Sequence, residues 1–384
     1  MKILHISTNG PWVQPLLHEL EKKVEVLHFN PTKDVRRDTA MTENEAAAYR
    51  DTIKQFQPDI IHVHGTENNF AQLQHFFSDI PVVVSIQGIL TGCIPYATGG
   101  LSEHEVKPFK SLKNLMHRGG LMSLYRRATA GSRAFEEDIL RSCRYFFCRT
   151  EWDRKMVMKY NPQAVIFQGD ELLRAPFYSN AGQWNIRQAE KHTIFTLSGF
   201  NPIKGLHYAI QTLSALSQKY PDVTLRVPGI PLNIYNRKGL VYRIIGEEYL
   251  GYIRHLTETL HVKERIVLLP YLSPEDMVKE ILRAQVFLSP STIDNSPNSV
   301  CEAMMLGVPV VCTPVGGVPS IVKHEQDGLL ATPDQLATAI DRLFTDESLA
   351  EQIGVRAHTT ALSRHDKERT TEQYLSAYQA ILKQ

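Results

Sequence analysis

The stretch STIDNSPNSVCEAMMLGVPVV, residues 291–311, decides how the chain is read. It follows AQVFLSP (284–290), a short run of unbroken apolar character, and closes on an equally apolar VPVV, so the spacing predicts strand, loop, helix, strand. Short strands without polar alternation are buried on both faces, as in parallel sheets covered by crossover helices. The loop and helix place Asp294 and Glu302 eight positions apart, with Asn298, Ser299 and Val300 at the head of the helix. Amides at a helix N-terminus, together with the macrodipole, make an anion site suited to a diphosphate, and Ser299 and Val300 are placed to supply them. A carboxylate cannot serve the same phosphate, so Asp294 and Glu302 must address neutral hydroxyls, which donate charge-assisted hydrogen bonds to them. The plainer alternative is a capping box, with Ser299 as N-cap and Glu302 as its partner three residues on.

Outward from this segment the same strand pattern recurs. The first half carries KILHIS (2–7), VEVLHF (24–29), DIIHVHG (59–65), PVVVSIQ (81–87), YFFCR (145–149) and AVIFQ (164–168). The second restarts with TIFTLSG (193–199), VTLRVPG (223–229) and RIVLLPY (265–271), then AQVFLSP and VPVVCTP (308–314). Amphipathic segments separate them, which predicts two doubly wound sheets in succession. The aperiodic stretch 174–192 marks the boundary, giving domains over 1–178 and 190–360, with a final amphipathic helix at about 364–384 packing back on the first. In open parallel sheets ligands sit beyond the carboxyl ends of the strands.

Composition narrows the class. A chain of 384 residues suits two domains, and 43% hydrophobic with 22% charged residues is the balance of a soluble globular protein. A net charge of +1 gives no global field for nucleic acid, which is not expected as a partner. The five cysteines, 93, 143, 148, 301 and 312, contain no C-x-x-C pair and support neither a disulfide framework nor a zinc knuckle. The N-terminal strand is too short for the apolar region of a signal peptide, and no run approaches 18 uninterrupted apolar residues, so a cytoplasmic protein is expected. A dinucleotide fingerprint is missing after the first strand, where Gly10 is followed by Pro11, and no phosphate loop of the G-x-x-x-x-G-K type occurs.

The segments SPSTIDNSPNSVCEAMMLGVPVV, TLSGFNPIKGLHYAI and TPVGGVPSIVKHEQDGLLATP together resemble the signature of the retaining glycosyltransferases of family 4, over residues 193–335 and more weakly in DIIHVHG and CRTEWDR. The resemblance implies the GT-B fold: α/β, two Rossmann-like doubly wound domains facing across a cleft. It implies a hexosyl-type transferase moving a sugar with retention from a UDP- or GDP-linked donor to a saccharide or lipid-linked saccharide, in surface polysaccharide or glycolipid synthesis. Glu302 would take the ribose, and Asp294, where the family usually has Glu, the sugar hydroxyls; Asn298, in SPN where the family has G-F-G, would add a side-chain contact. Lys204 in NPIKG matches the diphosphate lysine. The family's arginine five residues earlier is Gly199 here. Arg149, at the end of YFFCR, is the candidate substitute, with a salt bridge at the domain face as the alternative. Gln87 stands in SIQG where the family has a histidine; its backbone carbonyl would face the anomeric carbon and its amide would bond a sugar hydroxyl. Gly10 would give the donor close backbone access, or is a turn glycine.

No cofactor and no metal are expected, because Lys204 and a helix terminus carry the charge, and His62 and His64, on one strand face, lack a third ligand. In residues 101–133, Lys107, Lys110, Lys113, Arg118, Arg126, Arg127 and Arg133 face only Glu103 and Glu105. This predicts either contact with an anionic membrane surface, placing the protein on the inner face of the membrane, or a solvated lid. Two rival readings stand beside the transferase: another GT-B enzyme such as a nucleotide-sugar epimerase, and a non-catalytic nucleotide-sugar-binding subunit.

Overall fold

The computed structural model describes residues 1–8, 12–31, 40–112, 133–199, 201–229, 235, 236, 239–245 and 247–384. Two six-stranded parallel sheets are formed. The first has the order β2(Glu25–Phe29)-β1(Lys2–Ile6)-β3(Ile60–His64)-β4(Val82–Ser85)-β5(Tyr145–Cys148)-β6(Val165–Gln168). The second has the order β12(Leu329–Leu330)-β11(Val310–Cys312)-β10(Ala284–Ser289)-β7(Glu190–Phe195)-β8(Thr224–Pro228)-β9(Ile266–Leu269).

The unbroken apolar runs have the expected cause. Along β1, Ile3 faces a core completed by Leu16, Leu20, Tyr374 and Tyr378, while Leu4 and Ile6 face a second core with Ala46, Tyr49 and Ile53. A strand buried on both sides has no polar face to show. All eleven strands read from the sequence are present. The twelfth, Leu329–Leu330, is two residues long, and β7 begins at Glu190, inside the stretch read as a boundary. Its first residues are polar because they reach solvent, where Glu190 pairs with Arg283 at 2.6 Å.

The contacts divide the chain into two compact units, residues 1–94, 127–174 and 363–384, and residues 95–126 and 175–362. The helix Lys367–Leu382 joins the first unit through Tyr374, Leu375, Tyr378 and Ile381. The described residues 95–112, expected in the first domain, group instead with the second. Leu101 and Val106 enter the second unit's core, Phe109 packs on the rings of Tyr252 and His255, and the His207 ring Nε2 meets the Gly99 carbonyl at 3.0 Å. Of the cations in the basic stretch, Lys110 pairs with Glu103 at 2.8 Å and Arg133 with Glu137 at 2.7 Å; Lys113, Arg118, Arg126 and Arg127 lie outside the described residues. Among the described residues no helix is long and apolar enough to cross a membrane.

Candidate functional site

In the second sheet the chain runs outward from β7 through β8 to β9, then returns to the other side of β7 as β10 and continues to β11 and β12. The switch in direction lies between β7 and β10, and the loops leaving their carboxyl ends part there, the place where open α/β sheets bind ligands. One pocket occupies it. Thr196, Leu197 and Ser198 line it from the end of β7, Ser289, Ser291 and Asp294 from the end of β10, with Lys204 and Ser299.

Lys204 arrives on a tight turn. The Asn201 side chain accepts the Ile203 amide at 3.2 Å, Pro202 sets the first backbone angle, and Gly205 ends the turn at φ 71°. A Cβ at Gly205 would lie 1.9 Å from the Pro290 carbonyl oxygen, so only glycine lets the two loops meet. The Thr292 amide donates to the Ile203 carbonyl at 2.8 Å and stitches the loops together. The result is an ion pair: Lys204 Nζ donates to Asp294 Oδ2 at 2.7 Å, and Ser291 Oγ donates to the same oxygen at 3.2 Å. Asp294 is held from behind, its carbonyl accepting the Gly317 amide at 2.9 Å.

The helix Asn298–Leu306 begins after Pro297 with no side-chain cap. Ser299 is its second residue, not its N-cap, so the capping box does not form. Glu302 is 3% exposed, on a helix that also buries Val300, Cys301 and Ala303. The Val300 amide donates to the Pro297 carbonyl at 3.0 Å, which corrects its assignment as an anion donor: its proton is already committed. Ser299 lines the pocket, and Asn298 is the helix's first residue.

The first unit brings Gln87 and Arg149 together, and not as expected. Arg149 is 5% exposed; its Nη2 donates to the Gln87 carbonyl at 2.7 Å and its Nη1 pairs with Glu171 at 3.0 Å. The salt-bridge reading of Arg149 therefore replaces the diphosphate clamp, since its charge is neutralised by a buried carboxylate. The Gln87 carbonyl, expected to face an anomeric carbon, is already an acceptor for Arg149. Gly10 lies outside the described residues.

Other polar groups were missed. The hydroxyls of Thr196, Ser198, Ser289 and Ser291 ring the pocket; the signal was their clustering at two strand ends, in TLSG and SPS. Glu136 accepts from Thr66 Oγ1 and from the amides of Leu90 and Thr91 at 2.8, 2.8 and 2.6 Å, fixing the loop after Gln87 across 45 or more residues that carry no local hint. His62 and His64 do meet a third imidazole, His5, which β1 places in register beside His62. The three offer nitrogens within 4.8 Å of one another, the donor set of a metal centre. Here, however, His62 bonds Tyr378 OH at 2.6 Å and Ser85 Oγ at 2.7 Å, and His5 Nδ1 meets His64 Nε2 at 2.9 Å. The cluster is a hydrogen-bonded network beneath the last helix. Burial, with His28 and Arg149 nearby, pushes His64 down to about 3.

Two parallel six-stranded sheets, each wound with helices, give the chain the GT-B fold. Residues 183–360 match the family described as glycosyl transferases group 1. The putative glycosyltransferase YtcC of Bacillus subtilis (strain 168) is 30% identical over 181 residues, 45% of this chain and 42% of that protein. N-acetyl-alpha-D-glucosaminyl L-malate synthase of Bacillus anthracis is 29% identical over 135 residues, 34% of this chain and 35% of that protein. The chain thus matches less than half the length of these curated relatives. Among solved structures, sucrose-phosphate synthase (tll1590) from Thermosynechococcus elongatus superposes with a TM-score of 0.68 at 16% identity, covering 99% of both chains. Anabaena Alr3699/HepE in complex with UDP-glucose gives 0.65 at 16% identity, covering 99% of this chain and 100% of that one.

Proposed function

We propose that the chain is a retaining glycosyltransferase that moves a hexosyl group from a UDP- or GDP-linked donor to a saccharide or lipid-linked saccharide. The observation that carries this reading is the Lys204–Asp294 pair at 2.7 Å in a hydroxyl-lined pocket at the switch point of the second sheet. Lys204 and the Ser299 amide stabilise the diphosphate as it departs, the step at which negative charge grows. Asp294 accepts from sugar hydroxyls and Glu302 from the ribose. Retention is carried over from the likeness of residues 289–311 to the family 4 signature. The named relatives that make glycosides, and the HepE complex with UDP-glucose, support a nucleotide-sugar donor.

Thermal-shift screening against UDP- and GDP-sugars is the direct test, because a ligand that binds only the folded chain raises its melting temperature. A donor that stabilises the chain should then be consumed only with an acceptor, with the anomeric configuration of the product unchanged by NMR. No stabilisation by any nucleotide sugar would overturn the reading, and conversion of the donor without an acceptor would favour the epimerase. The chemistry proposed needs no metal, so activity should survive a chelator; loss restored by a divalent ion would reassign it. A lipid-linked acceptor would be met at an anionic membrane surface through residues 101–133. Within it Lys110 is paired with Glu103 and Arg133 with Glu137, so neither offers an uncommitted charge to such a surface. Sedimentation with anionic vesicles at low salt and release at high salt is expected; no sedimentation leaves a soluble saccharide as the acceptor.

A further inference from the structure

The pocket's two charges are unequal in freedom. Lys204 has 40% of its side chain exposed and can swing toward a ligand, whereas Asp294 has 10%, with its carbonyl tied to the Gly317 amide and Gly316 pressed against it: a Cβ there would lie 2.1 Å from that carbonyl oxygen. A diphosphate that draws Lys204 away leaves the Asp294 carboxylate with Ser291 Oγ as its remaining donor at 3.2 Å, in a place with little access to water. A buried carboxylate stripped of its counter-ion is strongly unfavourable unless new donors arrive. A sugar on the diphosphate brings hydroxyls that can donate to it; a free diphosphate brings none and adds a second negative charge at its terminal phosphate.

We propose that Asp294 makes the site select a sugar-bearing nucleoside diphosphate over the free nucleoside diphosphate, by holding Lys204 in an ion pair that only a hydroxyl-bearing ligand can replace. The inference rests on the donor reading of this pocket given above. It also gives the residue a part in release. During transfer the bond between the anomeric carbon and the phosphate oxygen breaks and its electron pair stays on that oxygen. The acceptor oxygen bonds to the anomeric carbon, and its proton passes to the phosphate. The hydroxyls then leave with the product, so the carboxylate that held the donor faces a terminal phosphate and Lys204 returns to it.

The test is calorimetric titration of the full chain with UDP, GDP and ADP and with the glucose conjugate of each. The unmodified chain should bind one conjugate more tightly than its free diphosphate. Asp294→Asn, which removes the charge and keeps the shape, should bind that free diphosphate at least about tenfold more tightly and the conjugate no more tightly, reversing the order. Asp294→Ser should behave alike and replaces the first variant if its melting curve shows it unfolded. Lys204→Gln should lose both ligands and shows that the gain runs through the lysine. If the unmodified chain binds but Asp294→Asn and Asp294→Ser leave the free diphosphate unchanged or weaker, the selectivity inference is wrong and the donor reading stands. If none of the six ligands binds the unmodified chain at millimolar concentration, the donor reading fails and takes the inference with it.

Discussion

Replacing Gly205 with alanine perturbs the pocket through the backbone alone. The new Cβ would sit 1.9 Å from the Pro290 carbonyl oxygen and 2.9 Å from its carbon. Relief to the roughly 3.0 Å at which such contacts become tolerable requires the turn carrying Lys204 and the loop carrying Ser291 and Asp294 to part by about 1 Å. That motion pulls apart the Thr292–Ile203 hydrogen bond at 2.8 Å and the Lys204–Asp294 pair at 2.7 Å. Misplacing a reactive group by about 1 Å can cost on the order of 100-fold in rate, and a left-handed alanine adds roughly 1–2 kcal/mol of instability. Gly239→Ala is the control: its φ is also positive, at 57°, but its Cβ would meet nothing within 4 Å among the described residues. Both variants should melt earlier, while transfer from the identified donor should fall about 100-fold in Gly205→Ala alone. Equal transfer rates in the two would show that the approach of Gly205 to Pro290 does not position Lys204.

The remaining predictions probe single side chains. Lys204→Ala should lower turnover by roughly 100- to 1,000-fold, as loss of a leaving-group stabiliser does, and should lower the melting temperature as well, because it leaves the Asp294 carboxylate, 10% exposed, without its counter-ion; turnover at the unmodified rate would return Lys204 to surface decoration. Glu302→Ala should weaken nucleotide binding by about 1.5–3 kcal/mol in a titration, the scale of a hydrogen bond to a charged group, and unchanged affinity would remove it from the ribose. His64, pushed down to about 3 in the folded chain, stays neutral there, while its unfolded counterpart takes up a proton as pH falls through about 6.5. The stability it supports is complete above about 6.5 and is lost between about 6.5 and about 3, at roughly 1.4 kcal/mol per pH unit. Burial lowers His5 and His62 in the same direction, so the first unit should be acid-labile. His64→Gln should cut proton uptake on unfolding near pH 5 by about one, and an unchanged slope would mean that His64 is not buried neutral.

Strands were legible because burial on both faces forces an apolar run, and burial of that kind is a local property. Where burial fails the signal fails with it. The first residues of β7, Glu190 to His192, reach solvent and read as linker, and Leu329–Leu330 is too short to stand out. The segment from 95 to 112 shows another limit. Leu101, Val106 and Phe109 announce that they will be buried, yet hydrophobicity has no address. They enter the second core, where His207 Nε2 donates to the Gly99 carbonyl and the rings of Tyr252 and His255 meet Phe109. The part of the pocket written in one strand, loop and helix, from Ser289 to Glu302, could be read in place. The pairing of Asp294 with a lysine 90 residues earlier could not be seen without knowing that β7 and β10 are neighbours.

Arg149 shows how such a relation follows once topology is known. A cation at the carboxyl end of a strand was legible, and its proposed partner was a ligand. But β5 and β6 are parallel neighbours with Cys148 opposite Gln168, so the residues just beyond them, Arg149 on one side and Asp170 and Glu171 on the other, must emerge side by side. A guanidinium 5% exposed needs acceptors that leave the strand ends with it, and the Glu171 carboxylate and the Gln87 carbonyl at the end of neighbouring β4 are there. The same step explains the approach to the last helix: Arg364, the final residue of the preceding helix Glu347–Arg364, pairs with Asp170 at 2.5 Å and donates to the Arg149 carbonyl at 2.6 Å. The ends of β4, β5 and β6 are thus closed by charges from three separate stretches of chain and the Gln87 carbonyl from a fourth. An arginine placed among them is the centre of that closure, and its charge is committed within the first unit.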